Sequence, residues 1–230
     1  MNALDNPIWS SLTTRHAPFA EGAGPARRFL PAIGPLAGLE TPARESLDAL
    51  AEVTAPGEGA ALFLPEKLDP GPKWTVARDE GLLQMVHDGR PFAAPARELV
   101  VLGAADNAEM VALAALTKPG PFGERTRELG TFLGVRERGR LAAMTGERLK
   151  LPGYTELSAV CTHPDFLGRG YARALMSAVA ARVVSRGETP MLHVLPGNAR
   201  AIAVYESLGF RRRALFALMG LRRHEKATRR

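Results

Sequence analysis

The sequence predicts an α/β fold, more closely an α+β arrangement in which helices pack on a mixed sheet. In the second half, short apolar runs typical of strands alternate with longer runs whose apolar residues recur every three or four positions. Glycine and proline separate these runs where turns are expected. With 230 residues, 46% of them hydrophobic and 23% charged, the chain can bury a sizeable core.

The composition argues against a membrane-spanning, secreted or metal-binding protein. No apolar run approaches the roughly 20 residues that a membrane helix needs. The segment MNALDNPIWSSL lacks the basic start and apolar block of a secretion signal. The one cysteine, Cys161, provides neither a disulfide framework nor a metal cluster. We therefore expect a cytoplasmic protein with no metal site and no membrane partner.

The chain is basic, with a net charge of +6 and a pI near 10.0. Apart from 211–213 and 222–230, the basic residues are scattered, and aromatic residues make up only 6%, too few for the stacking surfaces of a nucleic-acid groove. A solvated basic surface is therefore favoured over nucleic-acid binding. A positive potential would also attract a polyphosphate cofactor.

Residues 1–95 differ from the rest and are predicted to form a smaller N-terminal accessory domain. They are rich in proline, glycine and alanine, and their helical patterns are short. Thr41 and Pro42 suit the N-cap and first turn of a helix that reaches Glu52. The other predicted elements are strands at 60–64, 74–78 and 82–87, a turn at 79–81 and a linker at 89–95.

Residues 96–230 show a sharper pattern and are predicted to form the second domain. Its last helix is followed by Gly209, in the usual C-terminal glycine position. The predicted helices are 106–116, 124–131, 170–185 and 198–208. The predicted strands are 98–102, 132–136, 140–149, 154–162 and 190–195, with 210–221 forming one bent strand or two.

The most informative segment joins the strand that ends near Cys161 to the helix that begins at Gly170. The turn between them contains Pro164, Gly168 and Gly170. A strand, a glycine turn and a helix N-terminus together present free backbone N–H groups to an anion. The segment therefore predicts a phosphate-binding turn, and the alternative is an ordinary strand-to-helix turn.

Four segments stand out in order along the chain: Gly139–Gly146, Glu156–Pro164, Leu167–Ala172 and Asn198–Phe210, the last with the spacing Asn-x-x-Ala-x-x-x-Tyr-x-x-x-Gly-Phe. Together they resemble the GCN5-related N-acetyltransferase (GNAT) superfamily, and its FR47-like branch most closely. The resemblance covers residues 98–223. Because tandem arrangements of the fold occur in that superfamily, residues 1–95 are either a degenerate GNAT-like copy or an unrelated accessory domain.

The resemblance implies an acetyl-coenzyme A site. In the family, one strand separates from its neighbour and its main chain binds the pantetheine arm, while the glycine turn binds the diphosphate. Leu167 stands where the family usually has Arg or Gln, which leaves room for weaker cofactor binding. The residues implied in cofactor binding are Ala159, Val160, Cys161, Leu167, Gly168, Arg169, Gly170, Tyr171, Ala172, Arg173 and Asn198, the last of which also suits a helix N-cap.

The resemblance also implies catalytic residues. Tyr205 would be the general acid that protonates the departing thiolate of coenzyme A, since a phenol keeps its proton at neutral pH; its alternative role is to pack the helix on the sheet. Glu156 would accept the proton of the amine, directly or through water, with Glu147 and His163 as alternatives. Each of the two carboxylates could instead be a solvated or ion-paired side chain, which is the favoured role for Glu147. Cys161 is expected to be an inert buried thiol.

The sequence thus predicts an acetyl-CoA-dependent N-acetyltransferase that acetylates a primary amine by direct attack in a ternary complex. No motif identifies the amine acceptor, and a homodimer is compatible with the sequence. Two other functions stay open. One is a CoA-binding regulatory module with little or no catalysis, which Leu167 favours. The other, less favoured, is a basic nucleic-acid-associated protein, which the pI suggests.

Overall fold

An eight-stranded mixed sheet forms the centre of the computed structural model, which describes residues 2–93 and 97–225. The strands are β1 (Ala20–Glu21), β2 (Ala26–Phe29), β3 (Ala37–Leu39), β4 (Gly59–Leu64), β5 (Trp74–His87), β6 (Val100–Leu102), β7 (Phe132–Glu137), β8 (Arg140–Leu151), β9 (Tyr154–Thr162), β10 (Thr189–Val194) and β11 (Phe210–Arg223). The large sheet has the order β4-β11-β5-β10-β9-β8-β7-β6, and β1, β2 and β3 form a small separate sheet. In the large sheet β9 and β10 run parallel, and the other neighbouring strands are antiparallel.

Helices cover both faces of this sheet, which confirms the mixed α/β class. On β5, Leu83 and Met85 belong to one core and Leu82 to another, as the alternation of side chains in a strand requires. The first core lies under the fourth and fifth helices, and the second lies under the first helix. The helices are α1 (Pro7–Leu12), α2 (Arg44–Glu52), α3 (Asn107–Thr117), α4 (Tyr171–Ser185) and α5 (Ala199–Ser207).

Strand β5 ties the first 95 residues into the large sheet. It pairs antiparallel with β10 on one side and, along its whole length, with β11 on the other. Strand β4 in turn pairs with the far side of β11. The division at residue 95 stays a prediction, because the boundary and the end of the predicted linker lie outside the described residues, but strands from both sides of it share one sheet.

The turn predicted at 79–81 is wrong, because β5 is one strand from Trp74 to His87. Residues 79–81 pair with 217–219 of β11, and this ladder supplies the hydrogen bonds that a local turn would otherwise provide. The segment predicted at 210–221 is likewise a single strand, with a register shift between Arg212 and Ala214.

Other differences lie where the local signals are weak. Helix α2 begins at Arg44 behind an extended Ala43 with no side-chain cap, so Thr41 and Pro42 do not start it. The helix predicted at 124–131 is only a 3-10 turn, Thr126–Leu129. Helix α1 and the small sheet β1–β3 were not predicted, because their segments are short and rich in breaks. The strands β7, β8, β9 and β10 and the helices α3, α4 and α5 confirm the prediction within a few residues.

We expect that a fragment containing only residues 97–230 does not fold cooperatively. It would lack β5, the strand between β10 and β11, and would expose the backbone of both neighbours. Circular dichroism during heating should show no cooperative transition, in contrast to the full chain. A fragment that melts cooperatively with the secondary structure of the full chain would show that residues 1–95 are a separable domain.

Candidate active site

Strands β9 and β10 separate part of the way along their length. Residues 154–156 pair with 189–191, and no pairing joins the two strands beyond that point although β9 continues to Thr162. Ala159 has a left-handed backbone, with φ of 52°, where the pairing of β9 with β8 shifts register. Such a conformation costs a non-glycine residue about 1 to 3 kcal/mol. This β-bulge and the separation together open a notch, as the family resemblance implies.

A cavity of about 590 Å³ lies where the notch meets the N-terminus of α4. We call it the groove. Every residue predicted to bind the cofactor lines the groove except Ala159, which faces the neighbouring cavity described below. The groove also contains Thr117, Phe166 and Arg200, which the sequence did not indicate.

The glycine turn of the groove leaves backbone N–H groups free. Gly168 and Gly170 have φ of 77° and 74°, which a residue with a side chain adopts only with strain, and a Cβ on either would meet no atom within 4 Å. Gly170 is the N-cap of α4 and has no capping side chain. Because the first hydrogen bond of the helix runs from the Ala174 N–H to the Gly170 carbonyl, the N–H groups of residues 171–173 have no partner inside the helix.

Arginine side chains surround this turn. Arg169, Arg173 and Arg200 line the groove and are exposed. Leu167, 53% exposed, offers no hydrogen-bond donor where the family usually has Arg or Gln. The three arginines provide donors and positive charge close to it, from the turn, from α4 and from α5.

A second cavity, of about 320 Å³, lies on the other side of the notch. We call it the inner cavity. The end of α3 and the loop after it, residues 117–121, form one wall, and Phe63 of β4 and Leu82 of β5 contribute to another. Residues from the first 95 therefore line this cavity, together with residues of β8, β9, β10, β11 and α5.

The two cavities meet at four residues that line both of them, Thr117, Val160, Asn198 and Tyr205. Tyr205 is 9% exposed, and the structure gives its hydroxyl no hydrogen-bond partner among the described residues. Burial raises the pKa of this hydroxyl to about 12. The hydroxyl of Tyr205 therefore stays protonated near neutral pH, at the place where the two cavities meet.

Asn198 has the predicted capping role. Its Oδ1 accepts a hydrogen bond from the Ala201 N–H at 3.1 Å, which caps α5. The cap uses the oxygen, so the amide nitrogen stays available to a molecule in either cavity.

Glu156 lies inside the protein and lines neither cavity. Its two oxygens accept hydrogen bonds from Nε and Nη2 of Arg148, both at 2.7 Å, and a third comes from Nδ1 of His193 at 2.7 Å. Burial acts to raise the pKa of Glu156, but Arg148 and His193 outweigh it and hold this pKa at about 2. This environment argues against the prediction that Glu156 takes a proton directly from an amine.

The hydrogen-bond chain continues from His193 across the sheet. Nε2 of Gln84 donates to the Leu4 carbonyl at 3.0 Å, and Oε1 of Gln84 accepts from Arg213 at 2.8 Å. The same Nε2 lies 3.1 Å from Nε2 of His193, which must therefore accept, so the ring proton of His193 sits on Nδ1. One polar chain thus crosses β11, β5, β10, β9 and β8 in the order in which they lie in the sheet.

The two other candidates for the general base, Glu147 and His163, lie away from both cavities. Glu147 is buried in ion pairs with Lys150 and Arg186, and neither Glu147 nor His163 lines the groove or the inner cavity. Cys161 lines the groove, and burial raises the pKa of its thiol to about 11. A thiol with so high a pKa is a poor nucleophile near neutral pH.

Sequence reasoning missed Arg148, His193 and the residues from β4 and β5. The pairing of Arg148 with Glu156 had only a partial signal. The turn at Pro152 and Gly153 predicts a hairpin that brings the two charges near each other, but a register shift between Glu147 and Lys150 is what aligns them. His193 and the residues of β4 and β5 have no local signal, since only the sheet order brings them to the cavity.

Among residues 2–93 and 97–225 the structure has no helix long and apolar enough to cross a membrane. The same residues contain no group of three or more His, Cys, Asp or Glu side chains arranged to hold a metal ion.

Comparison with known proteins identifies the architecture. A model of the FR47-like protein family matches residues 132–217. A solved structure from Novosphingobium aromaticivorans DSM 12444, of a protein assigned to the GNAT family of acetyltransferases, is 40% identical, with 97% of this chain and 99% of that chain covered and a TM-score of 0.91. A comparison with curated proteins found no match.

More distant structures share the fold. A GCN5-related N-acetyltransferase from Kribbella flavida is 17% identical, with 99% of this chain and 98% of that chain covered and a TM-score of 0.67. A GCN5-related N-acetyltransferase-like protein from Streptococcus suis 89/1591 is 14% identical, with 94% and 92% covered and a TM-score of 0.61. On the strength of the 40% identity over nearly the full length of both chains, this protein belongs to the GNAT family, the GCN5-related N-acetyltransferases.

Proposed function

We propose that the protein is an acetyl-CoA-dependent N-acetyltransferase that acetylates a primary amine by direct attack in a ternary complex. The observation that carries this proposal is the pair of cavities on the two sides of the β9 notch, which meet at Tyr205. Two substrates bound in them would come together at that residue. Bound acetyl-CoA would supply the acetyl thioester.

The residues of the groove fit coenzyme A. The open glycine turn offers N–H groups to a diphosphate at the positive end of the α4 dipole. Arg169, Arg173 and Arg200 add charge suited to the phosphates. The main chain of residues 159–161 has no partner in β10 and is available to the pantetheine arm.

In this proposal, Tyr205 donates a proton to the departing thiolate of coenzyme A. With its pKa at about 12, the hydroxyl keeps its proton at neutral pH and can donate a hydrogen bond to the negative charge that develops on the departing sulfur. Cys161, with its pKa at about 11, keeps its own proton, which supports direct attack over an acyl-cysteine intermediate.

The acceptor must give its ammonium proton to water before it attacks, and the second N–H proton, released as the amide forms, replaces the proton that Tyr205 gives to the thiolate. Arg78, Lys118 and Arg148 line the inner cavity, and nearby positive charge favours the neutral form of an amine. Glu156 contributes by fixing Arg148 in the cavity wall and is not the direct base. We therefore assign Glu156 a positioning role.

Tyr205→Phe should lower kcat about 100- to 10,000-fold, the usual contribution of a general acid, with little change in the affinity for acetyl-CoA. Thiol release with a panel of primary amines measures kcat, and calorimetry measures the affinity. The control is Tyr154→Phe, because Tyr154 lies at the start of β9 and lines neither cavity. Unchanged turnover in Tyr205→Phe would remove this residue from the mechanism.

The double variant Arg169→Gln/Arg173→Gln should raise the KM for acetyl-CoA on the order of tenfold and leave kcat unchanged, since exposed charge pairs contribute up to about 1 kcal/mol each. The effect should shrink in high salt. Arg182→Gln, on the same helix but outside the groove, is the control.

The wild-type protein tests the function itself. If it binds acetyl-CoA but acetylates no amine, the protein is a CoA-binding regulatory module and the proposed catalysis is wrong.

Glu156→Gln should lower the free energy of unfolding at pH 7 by about 3 kcal/mol, since it breaks a buried ion pair. The pKa of Glu156 falls on folding from 4.5 to about 2, so the unfolded chain binds the proton first. Its stabilising contribution is complete above pH 4.5 and is lost as the pH falls towards 2.

The difference in stability between wild type and Glu156→Gln should therefore narrow across that acid range, as measured by urea unfolding at each pH. Glu206→Gln, in an exposed pair with Arg212, should change stability by about 1 kcal/mol or less. A pH-independent difference would mean that the carboxylate charge is not what stabilises the fold.

A further inference from the structure

The inner cavity has an unusual charge pattern for a site that receives an amine. Three cationic side chains line it, those of Arg78, Lys118 and Arg148, and no aspartate or glutamate does among the residues that the structure describes. The partners of the two arginines, Glu80 and Glu156, are not part of the lining. A molecule in the cavity therefore meets positively charged N–H donors and no carboxylate.

Arg148 is the most firmly held of these cations. Its Nε and Nη2 are bound by Glu156, both at 2.7 Å, and its guanidinium carbon lies 5.9 Å from the centre of the Phe63 ring. The whole residue is 9% exposed. A guanidinium held on two nitrogens has a fixed plane and a fixed direction for the third.

The third nitrogen, Nη1, has no hydrogen-bond partner in the described part of the chain. It lies beside the loop after α3, since a Cβ built on Gly120 would be 4.0 Å from it. Lys118 and Gly120 of that loop line the cavity as well. Arg148, an immobilised cation with one nitrogen free to donate, and Lys118, a second cation, thus both line the cavity.

The rest of the lining is partly apolar and partly polar, and the space is small. Five strands contribute apolar residues to it, namely Phe63, Leu82, Leu157, Leu192 and Leu218. A volume of about 320 Å³ is at the lower end for small-molecule sites and suits a compact ligand.

Resting on the acetyltransferase function proposed above, we propose that the acceptor is a small amino acid with an apolar side chain, whose carboxylate binds Arg148. The carboxylate would pair with Nη1 and with the charge of Lys118, and the side chain would pack among the leucines. An amine without a carboxylate would bring positive charge to cationic walls with nothing to offset it.

The first test measures binding and needs no turnover. N-acetyl-L-leucine and N-acetyl-L-leucinamide are the probes, since they have nearly the same shape and differ in the carboxylate. Calorimetry with the full chain should show that the acid binds about 10- to 100-fold more tightly, the range expected for a hydrogen bond to a charged group. Equal affinity for the two probes, or no binding of either, would overturn the proposal.

Variants locate the contact. Arg148→Lys keeps a cation beside Glu156 but removes Nη1, and it should abolish most of the preference for the acid. Because Arg148→Lys could unfold the protein, Lys118→Gln is the second variant; this side chain is exposed, and its loss should weaken the preference severalfold. Arg182→Gln, distant from the cavity, is the control and should leave the preference as it is. A preference that survives both cavity variants would overturn the assignment to this site.

Turnover separates this proposal from the function on which it rests. With acetyl-CoA, leucine should have a kcat/KM at least tenfold above that of leucinamide. If leucinamide or a plain alkylamine is acetylated as well as leucine, the acceptor class is wrong and the acetyltransferase function stands. If the acid probe binds selectively but no amine is acetylated, the acetyltransferase function fails and the ligand class stands.

Discussion

The carboxylate of Glu156 joins three neighbouring strands, β8, β9 and β10, at the place where β9 and β10 begin to separate. It is in the last residue of β9 that pairs with β10, and it binds Arg148 of β8 and His193 of β10 through its side chain. The backbone ladder between β9 and β10 ends there, and the side-chain bonds replace it as the connection. A charge so deeply buried is stable only with such partners. The hydrogen bonds to Glu156 and the bulge at Ala159 therefore both determine where β9 separates from β10.

Both cavities follow from this separation, but they are assembled differently. The groove uses consecutive pieces of chain, from the end of β9 through the glycine turn to α4, with α5 added. The inner cavity needs side chains from β4 and β5, the loop after α3, and the far strands of the sheet. The groove is therefore a local structure, and the inner cavity is a product of the whole fold.

This difference explains what could be predicted. The turn residues 167–173, Asn198 and Tyr205 lie in short segments with regular spacing, and the sequence placed them at one site. The sequence also singles out Glu156, as a candidate base or an ion-paired carboxylate, but it does not indicate the partner His193, which reaches Glu156 only through the parallel pairing of distant strands. In the same way, the turn signal at 79–81 is local, whereas the pairing with β11 that overrides it comes from the opposite end of the sequence.

The position of β5 between β10 and β11 has a consequence for how the protein is made. During synthesis β5 emerges long before either of its neighbours, and β4 has no partner in the large sheet other than β11. Strands β4 and β5 cannot pair with β11 until residues 210–223 have been translated. Until that point the apolar residues of β4 and β5 lack their cover, and this is the stage at which the chain is most prone to aggregate.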